Sequence, residues 1–185
     1  MPIVLLREGT TETKGNQAQR NNITAAKTIA EIVRTSFGPR GMDKMLVNNI
    51  GDVTITNDGA TILKEMDIQH PAAKMMVEIS KATDNEVGDG TTSVVVLAGA
   101  LIEKAEELIN KDVHPTVIVD GYRKAATRAI EILNNIAHKI AGNEKQELIR
   151  IAKTAMQTKL VSAESEDLAQ IVVDAALAVS EKTDS

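Results

Sequence analysis

The chain has 185 residues, of which 43% are hydrophobic but only 1% aromatic, so its apolar content is aliphatic. The absence of cysteine excludes disulfides, thiolate metal sites and a cysteine nucleophile, while the net charge of −5 and the scarcity of aromatic rings argue against nucleic-acid binding. No apolar run is long enough to span a membrane and the first residues lack the basic lead of a signal peptide, so we expect a cytoplasmic protein with no membrane partner.

The first third of the chain is predicted to contain a helix and a hairpin. Residues 2–6 form a possible edge strand. Apolar residues at spacings of three and four predict an amphipathic helix over 16–36. Residues 45–47 and 53–56 read as two strands around a turn, and they are followed by a short helix over 60–66.

The next segments are predicted to be helical. A helix begins at His70-Pro71, and a polar loop over 83–90 is expected to separate it from a long helix over 91–110. The long helix opens with a run that is apolar on all sides, which is typical of a buried central helix.

The remaining segments also favour helices. One helix is predicted from Pro115 to Gly142. Asn143 and Gln146 form a capping box that starts a helix to Met156, and a last helix covers 168–179. The helix that begins at Pro115 is expected to face inward with Val117, Ile118, Tyr122, Ala125, Ala126, Ile130 and Leu133.

The strongest candidate for chemistry is the loop before the long helix, Gly88-Asp89-Gly90-Thr91-Thr92-Ser93. Its glycines leave backbone amides unshielded, and a helix start offers unpaired N–H groups and the positive end of the helix dipole to an anion. Asp89 would repel a bare phosphate, which indicates a Mg²⁺ ion bridging its carboxylate and phosphate oxygens. The alternative is that Asp89 and Thr91 only cap the helix.

Two further loops carry weaker signals. Asp58 follows a predicted strand and is suited to positioning an attacking water, although Asn57-Asp58-Gly59 is more often a turn that caps the next helix. The segment 36–41 contains Gly38-Pro39, which is explained as a helix stop and whose backbone could also grip a nucleotide. Sequence alone leaves open whether the three loops share a pocket.

Four segments together resemble the group II chaperonins, the archaeal thermosome and its eukaryotic cytosolic relatives. They are residues 35–47, 56–63, 70–74 and 86–94, in the order and spacing of the family. The resemblance implies a mainly α fold, with 1–142 as the N-terminal part of an equatorial ATP-binding helix bundle that carries a small β-hairpin. Residues 143–185 would be the first segment of the intermediate domain. The apical domain and the C-terminal half of the equatorial domain are expected to be absent from this chain.

The resemblance also implies roles for individual residues. Asp58 would be catalytic, orienting the water beside the γ-phosphate, and Asp89 would hold Mg²⁺. Because 161–167 contain no lysine, a γ-phosphate contact made by a lysine in many relatives falls to Lys159 or has no counterpart. The ATP- or ADP-binding residues implied in this way are Gly38, Pro39, Gly59, Gly88, Asp89, Gly90, Thr91, Thr92, Ser93, Thr158 and Lys159.

The function implied by the resemblance is that of an ATP-dependent molecular chaperone subunit. It would bind and hydrolyse Mg-ATP to drive the folding of unfolded proteins in a double-ring cage of like or mixed chaperonin subunits. A second hypothesis is a fragment without ATPase activity that acts by associating with full-length subunits through 2–6 and 45–56. A third is a helical domain whose Gly-Asp loops are only caps. Apolar faces left uncovered by absent equatorial helices predict aggregation when the chain is made alone.

Overall fold

The computed structural model describes residues 12–140, 144–159 and 161–180, and within them the protein is mainly α. The predicted fold class is confirmed, whereas the strand predicted at 2–6 lies outside the described residues. The elements are α1 (Gly15–Arg34), β1 (Lys44–Val47), β2 (Val53–Thr56), α2 (Gly59–Glu65), α3 (Pro71–Val87), α4 (Thr91–Ile109), α5 (Pro115–Ile136), α6 (Lys145–Met156), a 3₁₀ turn (Ser162–Glu164) and α7 (Ser165–Val179).

The hairpin of β1 and β2 is antiparallel and pairs Lys44 with Thr56 and Val47 with Val53. Its turn is fastened by the Asn48 side chain, whose Oδ1 accepts hydrogen bonds from the N–H groups of Ile50 and Asp52. The predicted hairpin is therefore confirmed, and its second strand delivers the chain to the loop that contains Asp58.

The larger core lies among α1, α2, α3 and α4. Gly99 lets α4 cross α1 closely, since a Cβ at this position would lie 2.2 Å from the Cβ of Ala30. Lys27 on α1 and Glu106 on α4 form an ion pair of 2.7 Å near the same crossing. The buried apolar residues of this core are Ala26, Ile29, Ala30, Val33, Ile62, Leu63, Ala73, Met76, Val77 and Val95.

A second, smaller core joins α6 to α7. Ile149, Ala169 and Val173 are its buried members, and Lys145 pairs with Asp174 at 2.5 Å beside it. The domain boundary predicted at 142–143 falls among residues outside those described, so it stays a prediction, as does the capping box at Asn143.

The polar loop predicted over 83–90 is wrong for its first half, because α3 continues to Val87. The polar side chains of this last turn are exposed, so they do not oppose the helix, and Thr83 Oγ1 donates to the Ile79 carbonyl. The helix ends where Gly88 adopts the left-handed conformation, with φ of 72°, as a C-terminal stop.

Two predictions of burial are also corrected. The start of α4 is not buried all round, since Leu97 remains 60% exposed. On α5, which ends at Ile136, only Ile118 of the predicted inward residues is buried, and Val117, Ile130 and Leu133 are exposed. In the described part of the chain, α5 meets its neighbours mainly along α4, which leaves most of its apolar face uncovered.

No helix among the described residues combines the length and the hydropathy that crossing a membrane requires.

Candidate functional site

A cavity of about 580 Å³ lies where the end of α1, the loop after β2, the N-terminus of α4 and the face of α6 meet. Its size is within the range of small-molecule sites. It brings together parts of all three candidate loops, which sequence alone had left unconnected. Its lining residues are Ser36, Phe37, Gly38, Asn57, Asp89, Gly90, Thr91, Thr92, Ser93, Arg150, Ile151, Thr154, Ala155, Thr158 and Lys159.

The N-terminus of α4 forms one wall of this cavity. Gly90 is its N-cap residue with φ of 75°, and no side chain caps it. The cap hypothesis for Asp89 and Thr91 is wrong: the Asp89 carboxylate accepts from the Gly90 N–H at 2.7 Å, and Thr91 Oγ1 donates to Asp58 at 3.2 Å. The first N–H groups of a 19-residue helix therefore remain available where the cavity lies.

Asp58 lies directly behind the cavity and caps α2. Its Oδ2 accepts from both the N–H and the Oγ1 of Thr61 at 3.0 Å, which confirms the turn-and-cap interpretation. Its Oδ1 accepts from Thr91 Oγ1 at 3.2 Å and from Lys159 Nζ at 3.1 Å. One carboxylate thus joins the starts of α2 and α4 to the segment that follows α6.

The ionisation of Asp58 reflects these contacts. Burial works against the charged form, but the hydrogen bond from the Thr61 N–H and the hydrogen bond and positive charge of Lys159 outweigh it. The pKa of Asp58 is therefore lowered from its ordinary value of 3.8, and the group is a carboxylate at neutral pH.

Two polar contacts connect the smaller core to the larger one across the edge of the cavity. Lys159 pairs with Asp58, and Asn57 Nδ2 donates to the Thr158 carbonyl at 2.8 Å. We call these two contacts the polar latch. Beside it, Arg150 and Thr154, one turn apart on α6, line the cavity, while Ile149 on another face of α6 packs in the smaller core.

Ser36 is a lining residue whose side-chain hydroxyl has no hydrogen-bond partner among the described residues. The residue is only 5% exposed, and its Oγ is itself a buried atom. Buried polar atoms are nearly always paired, and because this oxygen has less than 1 Å² of accessible surface, it reaches a ligand in the cavity only when its side chain rotates. Sequence reasoning considered only the backbone of this loop and missed the side chain.

Four of the predicted site residues do not line the main cavity: Asp58, which lies behind it, and Pro39, Gly59 and Gly88. Pro39 lines a neighbouring cavity of about 280 Å³ that shares Asn57, Thr158 and Lys159 with the first. Gly59 lies beneath the site, where a Cβ would come within 2.6 Å of Thr92 Oγ1, so it permits α2 to pack on the start of α4. Gly88 terminates α3. These two glycines shape the site without facing it.

Sequence reasoning missed most of the far wall. The lining residues to which it gave no individual role are Ser36, Phe37, Asn57, Arg150, Ile151, Thr154 and Ala155. The four residues on α6 recur at the spacing of one helix face. In an amphipathic helix, however, the sequence does not show whether a face outside the apolar core lines a cavity or meets solvent.

The metal prediction rests on Asp89. The described residues contain no group of three or more His, Cys, Asp or Glu side chains that would hold a metal ion together. The available donors are the exposed Asp89 carboxylate and the hydroxyls of Thr92 and Ser93, which are the hard oxygen atoms that Mg²⁺ prefers. They fit a Mg²⁺ that keeps water and phosphate oxygens as its other ligands, since Mg²⁺ is usually bound in this way.

Comparison with known proteins gives consistent results. The family model described as TCP-1/cpn60 chaperonin family matches residues 29–185. The thermosome subunit alpha of Archaeoglobus fulgidus is 56% identical over 183 residues, covering 99% of this chain and 34% of that protein. The thermosome subunit alpha of Sulfolobus acidocaldarius is 54% identical over 190 residues (98% and 34%). The thermosome subunit of Pyrococcus abyssi is 54% identical over 183 residues (99% and 33%). The chain spans about a third of the length of these curated relatives.

Proposed function

The chain belongs to the TCP-1/cpn60 chaperonin family, and on that premise we propose that it is the nucleotide-binding part of a thermosome-like subunit that binds and hydrolyses Mg-ATP. The observation that carries the proposal is the cavity at the start of α4, where no side chain caps the first N–H groups of the helix. Unpaired N–H groups and the helix dipole at this position favour a phosphate.

The phosphates would lie against the first turn of α4. Its N–H groups and the hydroxyls of Thr92 and Ser93 would donate to phosphate oxygens, and the hydroxyl of Ser36 would donate once its side chain rotates toward the cavity. Asp89 would hold Mg²⁺, which neutralises phosphate charge when bound. Because the metal ion would offset the charge of Asp89, a site with an exposed carboxylate could still bind an anion.

Asp58 and Lys159 would act at the terminal phosphate. Asp58 is ionised at neutral pH because its pKa is lowered, so it can accept a hydrogen bond from a water molecule and orient it. Its Oδ1 is engaged by Lys159. We expect Lys159 to transfer its hydrogen bond to the terminal phosphate, so that Oδ1, which still accepts from Thr91, gains a free lone pair with which to position the water. Asp58 would still be anchored by Thr61 through Oδ2.

The chaperone role and the assembly are proposed from the relatives. Their names describe thermosome subunits, alpha and beta among them. By that analogy this chain would contribute to a chaperonin ring that uses ATP to fold unfolded proteins. Its location in the cytoplasm stays a prediction.

The proposal is tested by Asp89→Ala in the protein as it is assembled natively, with Asp84→Ala as the matched control. Asp84 is an exposed aspartate in the last turn of α3, five residues away, and does not line the cavity. Titration calorimetry with ADP, with and without Mg²⁺, should show that Asp89→Ala abolishes the part of the affinity that depends on Mg²⁺. ATP turnover should fall with it. Unchanged Mg²⁺ dependence in Asp89→Ala would exclude the assigned role.

A second candidate function has one observation in its favour. One side of the hairpin carries Met45, Val47, Val53 and Ile55, all of which are exposed. The 185-residue chain alone would then hydrolyse no ATP and act by associating with longer subunits through this surface. Cosedimentation with intact rings, together with an ATPase assay of the chain alone, separates the candidates: turnover without association supports the first.

A further inference from the structure

We propose that Asp89 is a site of spontaneous backbone modification, at which the folded chain rearranges to isoaspartate through a succinimide. This reaction occurs chiefly where glycine follows aspartate, because glycine has no Cβ to hinder its own nitrogen. The chain has three such bonds, Asp58-Gly59, Asp89-Gly90 and Asp120-Gly121. The structure distinguishes them sharply.

At Asp89 the reacting groups are already together. The Gly90 N–H donates to Asp89 Oδ1 at 2.7 Å, and the carboxyl carbon is one bond from that oxygen, so it lies beside the nitrogen that attacks it. Reactions of groups held at contact distance gain strongly from their proximity. Nothing lies within 4 Å of the place where a Cβ of Gly90 would be, so ring closure meets no neighbour. Asp89 is also exposed, so solvent water reaches it.

The chemistry needs no partner but water. The Gly90 nitrogen forms a bond to Cγ of Asp89 and loses its proton, while one carboxyl oxygen leaves as water, taking up that proton and one from solvent. A water molecule then opens the five-membered imide at either carbonyl. Opening at one carbonyl restores aspartate, and opening at the other leaves the main chain running through Cβ. The final mass equals the starting mass.

At Asp58 the same reaction is opposed by the structure. The carboxylate is held away from its own backbone by the N–H and hydroxyl of Thr61, by Thr91 and by Lys159. Gly59 is buried at the start of α2 and touches α4 closely. Neither partner has the freedom to form the imide.

At Asp120 the helix itself opposes the reaction. Asp120 and Gly121 lie inside α5, where a backbone N–H points along the helix axis toward the carbonyl of the preceding turn. The carboxylate of Asp120 points instead toward Arg123, at 3.6 Å. Asp120-Gly121 is exposed, so it is a matched control for solvent access without the reactive geometry.

Isomerisation at Asp89 would alter the site itself. An extra main-chain atom would enter the turn between Gly88 and Gly90, and the remaining carboxylate would sit directly on Cα. Its link to function rests on the proposed role of Asp89 in holding Mg²⁺. The modification itself does not depend on that role.

The test is to age the native protein in neutral buffer below its unfolding temperature and to follow isoaspartate by mass spectrometry with electron-transfer fragmentation. Trypsin places the three bonds in separate peptides, 45–64, 82–104 and 112–123. We expect isoaspartate at Asp89 to form at least about ten times faster than at Asp58 or Asp120, because loss of close approach costs one to two powers of ten in rate.

The same chain in guanidinium is the control, because unfolding removes the structural differences and should bring the three rates close together. Equal rates in the native protein would overturn the proposal, as would protection of Asp89 equal to that of the other two sites. Saturating Mg-ADP adds a separate comparison. If selective isomerisation at Asp89 persists undiminished in Mg-ADP, the modification site stands and the metal role of Asp89 fails.

Discussion

Ser36 places a buried hydroxyl without a protein partner, among the described residues, at the wall of the cavity. Leaving such a group unpaired costs about 1–3 kcal/mol, and a ligand oxygen would remove this cost on binding. The unpaired hydroxyl therefore lowers the stability of the folded chain but favours ligand binding. Removing a serine with only a structural role would instead lower stability and leave binding unchanged.

We predict that Ser36→Ala leaves the free energy of unfolding unchanged or raises it, while weakening Mg-ADP binding about tenfold, since a hydrogen bond to a charged group is worth roughly 1.5 kcal/mol or more. Denaturant unfolding and titration calorimetry measure the two effects. Ser80→Ala is the matched control: this serine is fully buried, and its Oγ donates to the Thr91 carbonyl at 3.3 Å. It should lose stability. A stability loss in Ser36→Ala with unaltered binding would contradict the assignment.

The ionisation of Asp58 predicts how the stability of the folded chain depends on pH. A carboxylate whose pKa is lowered by folding stabilises the folded state at any pH above its ordinary value of 3.8, and this contribution disappears as pH falls through the lower, folded pKa. The difference in unfolding free energy between wild type and Asp58→Asn should therefore be constant near neutrality and shrink below 3.8. Urea unfolding at a series of pH values measures it, with Asp84→Asn as the control. A difference that stays constant into acid would show that the charge of Asp58 contributes nothing.

At the scale of elements, the approach of α1 and α4 depends on small residues. A Cβ at Gly99 would lie 2.2 Å from the Cβ of Ala30, whereas nothing lies within 4 Å of a Cβ at Gly121 on α5. Both glycines are inside helices, so the pair separates packing from helix propensity.

We predict that Gly99→Ala destabilises the chain by about 1–3 kcal/mol, because the two helices must move apart. Gly121→Ala should instead stabilise it by roughly 0.5–1 kcal/mol, since alanine is the better helix former. Thermal or denaturant unfolding of the two variants is the measurement. Destabilisation by both would mean that the crossing is not the cause.

Local patterns were sufficient to predict most elements of the described chain. The periodicity of 23–33 predicted α1, the two short apolar runs predicted the hairpin, and proline predicted the starts of α3 and α5. Ends were less predictable, because an exposed polar turn such as 83–87 is compatible with both a helix and a loop. Only the left-handed conformation of Gly88 decides where α3 stops.

Of the candidate site, only the loop at the start of α4 could be predicted from a local sequence pattern. Gly90, Thr91 and Asp89 form a contiguous motif with an evident chemistry, so the sequence indicated them. The pairing of Lys159 with Asp58, 101 residues apart, is a product of tertiary packing and has no local signal. The same is true of Ser36, whose burial and missing partner exist only in the folded chain.

For the whole molecule, the described residues form two cores that meet at the cavity and the polar latch. A ligand in this cavity would contact both. Its binding would therefore add contacts between the cores as well as within one of them, which is the arrangement expected where a ligand controls their association.

The exposed face of α5 is the largest departure from the sequence-based expectation of burial. Ile130 and Leu133 are each 59% exposed, one turn apart, and Ile136 continues the same stripe. A contiguous apolar surface of this kind promotes association in water. Because the chain spans only a third of its relatives' length, its behaviour in isolation is a separate property from that of the whole protein.

We predict that the 185-residue chain prepared alone self-associates and binds a hydrophobic dye, and that Leu133→Lys reduces both effects by interrupting the α5 stripe. Thr127→Lys is the matched control, because it adds the same charge at another exposed position of α5 without removing apolar surface. Analytical ultracentrifugation and dye fluorescence measure the outcome.

If Thr127→Lys disperses the chain as well as Leu133→Lys does, net charge rather than the apolar stripe governs association. If neither substitution has an effect, the associating surface lies elsewhere, and the exposed side of the hairpin, with Val47 and Ile55, is the next surface to substitute.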